Sequence, residues 1–216
     1  MQLSLRLSAI AGLVTRGNRL VDVGCDHGYL PVSLYLDGRI PGAIAMDVRK
    51  GPLSRAKEHI SQYGLDAYIE TRLSDGLEAL KPGEGDTLVI AGMGGPLMER
   101  ILTDGAEVRE SFQEMILQPQ SDIPHFRRFI SEIGWQIMEE EMVLEDGKFY
   151  PMMKVIHGEK KHISADTSYT LKEWFGGMLL ERKHPVLKEY LERELRIRNE
   201  ILDKLKNAPN AEKRTA

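Results

Sequence analysis

The most constraining feature of this chain is an apolar run, Leu20–Val23, that ends in a short loop rich in glycine and acids. The loop holds Gly24, Asp26 and Gly28, and a later apolar run ends in Asp47. This order is typical of a strand–loop–helix–strand unit that binds a nucleotide-like ligand. A glycine lets backbone amides approach the ligand, and the acid after the second strand can hydrogen-bond both ribose hydroxyls.

The spacing of these glycines narrows the class of ligand. Gly24 and Gly28 give G-x-x-x-G, whereas the dinucleotide fingerprint is G-x-G-x-x-G. A pyrophosphate needs that tighter loop and a helix N-terminus directed at its charge. A ligand with a ribose but no phosphate, such as S-adenosylmethionine, does not. The spacing therefore makes a nicotinamide-dependent dehydrogenase the least favoured function.

Apolar runs alternate with helical patterns up to residue 134 and then give way to a hairpin pattern. Residues 135–144 and 149–155 read as strands, and Glu-Asp-Gly-Lys between them is a strong hairpin signal. A short helix is also predicted over 77–80. The pattern predicts an α/β fold, a class I methyltransferase (Rossmann-like) seven-stranded sheet whose last strand is antiparallel. The first five predicted strands cover 19–23, 43–47, 67–73, 87–91 and 115–117.

The C-terminal part has a different pattern. We predict a domain over 1–158, a polar linker over 157–167 and a C-terminal appendage over 165–207, with a disordered tail from Asn207. Apolar residues recur at threes and fours after residue 170, which predicts two helices packed as an antiparallel coiled coil. The stripe could pair within one chain, as in a monomer, or between two chains.

Composition sets limits on location and partners. The net charge is −4, so any nucleic-acid contact must come from a local basic patch. The single cysteine excludes an intramolecular disulfide and a cysteine-based metal cluster, and we expect no metal. No apolar run approaches the length of a membrane span. We therefore expect a cytoplasmic protein without a membrane partner.

Five motifs lie at or near the ends of predicted strands: Val21–Pro31, Ala45-Met46-Asp47, Ser74-Asp75-Gly76, Ile90–Gly95 and Leu117-Gln118-Pro119. Together they resemble a known family, the bacterial tRNA (adenine-22-N1)-methyltransferases, or TrmK family. The resemblance implies a Rossmann-type enzyme with a C-terminal coiled coil that uses S-adenosylmethionine. It also implies that the partner is tRNA and that the reaction methylates N1 of an adenine in the D-loop region.

Candidate cofactor-binding residues lie where the predicted strands end. Asp47 is expected to bind the ribose and Asp75 the adenine of the cofactor, because both follow a strand at the carboxyl edge of the sheet. Met93 is expected to pack on a ring. The full set is Gly24, Asp26, Gly28, Asp47, Asp75, Gly76, Gly92 and Met93.

Candidate catalytic residues are Asp26, His27 and Tyr29. A carboxylate near N1 or N6 of the target adenine can orient the base and stabilise the positive charge that develops on methylation. The alternative role for Asp26 is to cap the following helix. The candidate substrate-binding residues are Arg6, Gly94, Gln118 and Pro119. Candidate phosphate contacts are Arg6, Arg16, Arg19, Arg39, Arg49, Lys50, Arg127, Arg128 and Lys148.

Two other functions stay open from the residues alone. A class I methyltransferase for a small molecule or a protein would have the same cofactor half. A non-catalytic RNA-binding module could keep the fold with an inactive site, although the intact Asp26, Asp47, Asp75 and Gly92 argue against it.

Overall fold

A computed structural model of the chain describes residues 2–160 and 168–206, and within them one seven-stranded sheet organises the fold. The strand order is β3-β2-β1-β4-β5-β7-β6. The strands are β1 (Leu20–Val23), β2 (Ala43–Asp47), β3 (Ile69–Leu73), β4 (Thr87–Met93), β5 (Glu114–Pro119), β6 (Trp135–Glu145) and β7 (Lys148–His157).

Helices cover both faces of this sheet and continue beyond it. They are α1 (Leu5–Leu13), α2 (Tyr29–Leu36), α3 (Lys50–Gln62), α4 (Gly95–Asp104), α5 (Ala106–Arg109), α6 (Ile123–Glu132), α7 (Leu171–Phe175), α8 (Gly177–Glu181) and α9 (Pro185–Lys206). Separate apolar cores on the two faces contain Ile10 and Ile60 on one side and Phe126 and Trp135 on the other.

The direction of the strands confirms the predicted sheet. Strands β1 to β5 pair in parallel, and β7 pairs antiparallel with both β5 and β6. β1 lies between β2 and β4, so the order of the strands reverses at its carboxyl end. In open α/β sheets, ligands bind outside the carboxyl ends of strands at such a reversal.

Some element boundaries differ from the predictions. No helix covers residues 77–80: residues 76–79 form a turn, in which the Ser74 hydroxyl donates to the Gly76 carbonyl and accepts from the Ala79 amide. The short helix α5 was not predicted. β4 does not stop before Gly92: it continues to Met93 through an irregularity in its pairing with β5.

The predicted antiparallel coiled coil is not confirmed in the described residues. The segment 171–181 forms two five-residue helices that meet at Gly176, which has a φ of 88°. A side chain at Gly176 would collide with the Glu140 carboxylate, since an added Cβ would lie 2.6 Å from Oε1. The chain turns there because it docks on β6. Residues 161–167 and 207–216, which include most of the predicted linker and the tail, lie outside the described residues.

A buried ion pair attaches α7 and α8 to the rest of the fold. Arg127 donates to Glu140 at 3.0 Å and to the Glu173 carbonyl at 2.9 Å, while Glu140 accepts from the Met178 amide at 3.0 Å. Arg128 pairs with the Glu173 carboxylate at 2.8 Å. Arg127 is buried and thus committed to packing, so its predicted role in phosphate contact is wrong, whereas that of Arg128 stays a prediction.

Candidate active site

Two adjoining cavities open at the carboxyl edge of the sheet. We call the cavity of about 660 Å³ the cofactor cavity and the cavity of about 500 Å³ the acceptor cavity. The cofactor cavity is lined by residues that include Gly24, Asp26, Asp47, Asp75, Gly76, Gly92 and Met93. The acceptor cavity is lined by residues that include Arg6, Asp22, Gly24, Asp26, His27, Tyr29 and Tyr150.

The two cavities meet at three shared residues, Gly24, Asp26 and Ala91. These residues follow β1 or lie near the end of β4, the two neighbouring strands at the reversal in strand order. A group bound in one cavity can therefore reach a group bound in the other across this short boundary.

Gly24 leaves the space at this boundary. Its φ is 79°, a conformation that L side chains rarely adopt, and an added Cβ would lie 2.5 Å from the Met93 Cε atom. The Gly24 and Cys25 amides both donate to the Met46 carbonyl, at 2.8 and 2.9 Å. The loop is thus held by the end of β2 and leaves its inner face to a ligand.

Asp47 presents a buried carboxylate to the cofactor cavity. It is the last residue of β2, and its Oδ1 atom accepts a hydrogen bond from the Arg49 amide at 2.8 Å. Its Oδ2 atom has no hydrogen bond from the residues that the structure describes. One oxygen is therefore fixed by the backbone, and the other is left for a ligand hydroxyl.

Asp75 follows β3 and also lines the cofactor cavity. Both of its oxygens accept from the Arg100 guanidinium, at 2.8 and 3.4 Å, and both side chains are partly exposed. Gly76, with a φ of 57°, packs against Ile101. Arg100 thereby fixes the direction of the Asp75 carboxylate, and Asp47 and Asp75 stand where two ends of a nucleoside could be held.

Asp26, His27 and Tyr29 lie together on the acceptor side. Asp26 has a φ of 46°, and its carboxylate accepts from Arg55 at 3.1 Å and lies 3.8 Å from the His27 ring. The N-cap of α2 is Gly28, so the alternative role of Asp26 as a helix cap is wrong. The His27 and Tyr29 rings stack with their centroids 5.2 Å apart.

Arg6 reaches the acceptor cavity from α1. Its guanidinium donates to the Gln118 side-chain oxygen at 3.3 Å, and the Gly92 amide donates to the same oxygen at 3.1 Å. Gln118 is buried, and its own amide donates to the Pro119 carbonyl. One glutamine thus couples α1, the end of β5 and the irregular part of β4.

Four predicted site residues do not line either cavity in the described part of the chain. Gly28 packs against Ala56 of α3, and an added Cβ would lie 3.4 Å from the Ala56 Cβ. Gly94 lies close to Ser121, while Gln118 and Pro119 are buried in β5. These four hold the walls in position, and a direct contact with a ligand is not expected of them in this arrangement.

Asp22 is a site residue that the sequence patterns did not assign. It lies in the middle of β1, is buried and lines the acceptor cavity. Burial raises the pKa of Asp22 to about 7, against the opposing effect of Arg6 and with a smaller contribution from Asp47. An acid within an otherwise apolar strand was the available signal. Burial also raises the pKa of the neighbouring Cys25 thiol above its usual range.

The described residues contain neither a cluster of metal ligands nor a membrane-spanning helix. No group of three or more potential metal ligands occurs in residues 2–160 and 168–206. Over the same ranges, no helix has the length and apolar character needed to cross a membrane.

Comparisons with known proteins agree with this geometry. A methyltransferase-domain family model matches residues 3–153. The Bacillus subtilis (strain 168) tRNA (adenine(22)-N(1))-methyltransferase is 32% identical over 98% of this chain and 89% of its own length.

Solved structures give the same result. The crystal structure of the B. subtilis tRNA methyltransferase TrmK has a TM-score of 0.82 at 32% identity, covering 97% of this chain and 89% of that one. M. capricolum TrmK in complex with S-adenosyl-homocysteine has a TM-score of 0.80 at 25% identity, with the same coverage of both chains. The chain belongs to the tRNA (adenine(22)-N(1))-methyltransferase family.

Proposed function

We propose that this protein transfers a methyl group from S-adenosylmethionine to N1 of the adenine at position 22 of tRNA, in the cytoplasm. The observation that carries the proposal is the meeting of the two cavities at Gly24, Asp26 and Ala91. Family membership supports the same reaction, because the B. subtilis relative carries the name of that activity.

The cofactor cavity fits S-adenosylmethionine in the chemistry of its donors and acceptors. Asp47 would accept hydrogen bonds from the ribose hydroxyls with its unengaged oxygen, and Asp75, held by Arg100, would accept from the adenine amino group. Gly24, Gly76, Gly92 and Met93 would line the remaining walls. When bound, S-adenosylmethionine supplies a methyl group that is already activated, so the protein mainly has to position the acceptor.

The acceptor cavity contains groups that suit the methylation of a ring nitrogen. Neutral adenine N1 has a free lone pair and attacks without losing a proton, and the product carries a positive charge. Asp26 would accept a hydrogen bond from the N6 amino group and offset this charge across the shared boundary. His27 and Tyr29 would contact the base, with Arg6 held in place by Gln118.

We propose that the four predicted site residues that line neither cavity support the walls of both cavities and do not contact a ligand themselves. Gly28 would keep α3 close to the loop, Gly94 would let the start of α4 approach Ser121, and Gln118 with Pro119 would hold Arg6 and Gly92. An adenine that is stacked or paired in tRNA must be extruded before its N1 can enter this cavity.

The test is methyl transfer from labelled S-adenosylmethionine to unmodified tRNA, with identification of the nucleoside formed. We expect N1-methyladenosine at position 22. Asp26→Ala should lower kcat by at least about 100-fold, since it removes a charge aimed at the developing cation. The matched control is Asp37→Ala, an exposed acid at the other end of α2, which should leave the rate unchanged. Binding of S-adenosylhomocysteine without transfer to any tRNA would overturn the proposal.

A further inference from the structure

Four aromatic rings run in unbroken contact from the acceptor cavity onto the outer surface of α3. His27 stacks on Tyr29, Tyr29 meets the ring of His59 at 4.8 Å with planes at 74°, and His59 meets Tyr63 at 5.2 Å with planes at 83°. We call these four residues the aromatic row. Two of its members, His59 and Tyr63, have no place in the site described above.

The row is held rigidly at its inner end. The His59 Nδ1 atom lies 3.1 Å from the His27 carbonyl oxygen, so this nitrogen carries the proton and donates. Gly28 packs on Ala56 one turn earlier on α3, which keeps the loop and the helix in close contact. This hydrogen bond and this packing tie the loop that carries His27 to α3.

The outer end of the row offers ring surface to solvent. Tyr29 is 42% exposed and Tyr63 is 43% exposed, although both rings belong to one contact series. A tyrosine that serves only to fill the core would be buried more completely. Exposed aromatic faces beside a cavity for a base suit stacking with further bases.

The charge on α3 suits the backbone of a nucleic acid. The helix carries Lys50, Arg55 and Lys57 against a single acid, Glu58, in a chain whose net charge is −4. Arg55 is exposed and lies one turn before His59 on the same face of α3, where its guanidinium pairs with the Asp26 carboxylate at 3.1 Å. Local positive charge next to exposed rings is the combination that binds single-stranded nucleotides.

We propose that the aromatic row stacks the base next to the target adenine, with Tyr63 as its outermost platform and Arg55 near the adjoining phosphate; this inference rests on the proposed function. Extrusion of the target leaves its neighbour without a stacking partner. The aromatic row stacks on this neighbouring base in place of the extruded adenine. It so stabilises the opened RNA strand at the mouth of the acceptor cavity.

The experiment compares wild type, Tyr63→Ala, Tyr63→Phe and Tyr68→Ala on tRNA that carries 2-aminopurine on either side of the target. Tyr68 is the matched control: it is 51% exposed and stacks on Tyr35, and it makes no ring contact with the aromatic row in the described part of the chain. Stacking quenches the fluorescence of 2-aminopurine, and steady-state methyl transfer is measured on the same RNA. Binding of S-adenosylhomocysteine and thermal unfolding check that each variant is folded.

We expect Tyr63→Ala to lower kcat/KM for tRNA roughly tenfold through KM, and to abolish the quenching of one flanking 2-aminopurine. Tyr63→Phe, which keeps the ring, and Tyr68→Ala should match wild type. Normal kinetics and normal quenching in Tyr63→Ala would overturn the inference, as would an equal defect in Tyr63→Phe. If the wild type itself methylates no tRNA, the proposed function fails and this inference fails with it.

Discussion

Asp22 places an ionisable group inside the apolar centre of the sheet. Its pKa of about 7, against an ordinary value near 3.8, means that the folded protein holds a proton on this carboxyl that the unfolded chain releases. The stability from this group is fully present below pH 3.8 and is lost as the pH rises to about 7. Asp22 therefore lowers the stability of the fold at neutral pH, which is typical of a residue kept for function.

Replacement of Asp22 by Asn should remove this pH dependence. Between pH 5 and pH 8, the free energy of unfolding of wild type should fall by roughly 2–3 kcal/mol relative to Asp22→Asn, because only wild type loses a buried proton. Urea unfolding of both proteins at the two pH values measures the difference. If the free energies of unfolding of the two proteins differ by the same amount at both pH values, the raised pKa of Asp22 is contradicted.

The sequence motifs predicted most of the site at this scale. Gly24, Asp47 and Asp75 were predictable because a strand end, a turn glycine and an acid stand in a fixed order along the chain. Asp22 and Arg100 were not, since their roles depend on neighbours from other elements: Arg6 and Asp47 for the first, and the Asp75 carboxylate for the second.

At the scale of elements, the short helices α7 and α8 depend on a buried charge pair. The Arg127 side chain is 4% exposed and that of Glu140 is 1% exposed, and their remaining hydrogen bonds go to the ends of these helices. Removal of one partner would leave the other charge buried without compensation, which is far more costly than the loss of an exposed pair.

Arg127→Met should lower the free energy of unfolding by about 3–5 kcal/mol and increase hydrogen exchange across α7 and α8. The control is Arg128→Met, which affects the more exposed pair with Glu173 and should cost about 1 kcal/mol. Urea unfolding and exchange monitored by mass spectrometry give both quantities. Equal costs for the two variants would contradict the importance of burial.

The strands were predictable because buried apolar runs and one Asp-Gly turn mark them directly in the sequence. The end of the first C-terminal helix at Gly176 was not predictable in the same way. Local periodicity continues through residues 171–179, and the break follows from contact with Glu140, more than thirty residues earlier in the chain. Helical periodicity indicates which residues are apolar on one face, but tertiary contacts decide where a helix stops.

At the scale of the whole molecule, α9 extends beyond the surface on which it begins. Leu187 near its start is buried, whereas further along Leu195, Ile201, Leu202 and Leu205 are about half exposed. The first turns thus belong to the packed structure, and the later turns contribute little to its stability.

Two truncations should separate these parts. A chain that ends after Glu194 should unfold within about 0.5 kcal/mol of the full chain, since it loses mainly exposed residues. A chain that ends after Ser168 should lose at least about 2 kcal/mol, because Arg127 and Glu140 lose their partners in α7 and α8. Urea unfolding compares the stability of the three chains. A large loss of stability in the chain that ends after Glu194 would contradict this division.

The position of β7 between β5 and β6 has a consequence for protein synthesis. The strand that covers the edge of β5 is the last of the sheet to be translated, so a nascent chain that ends before Lys148 carries β5 with its hydrogen-bonding groups open. An open, apolar strand edge pairs readily with other chains. Ribosome stalling after the codon for Pro119 and before the codon for Lys148 should therefore yield fragments that aggregate, whereas pairing of β7 covers the open edge of β5.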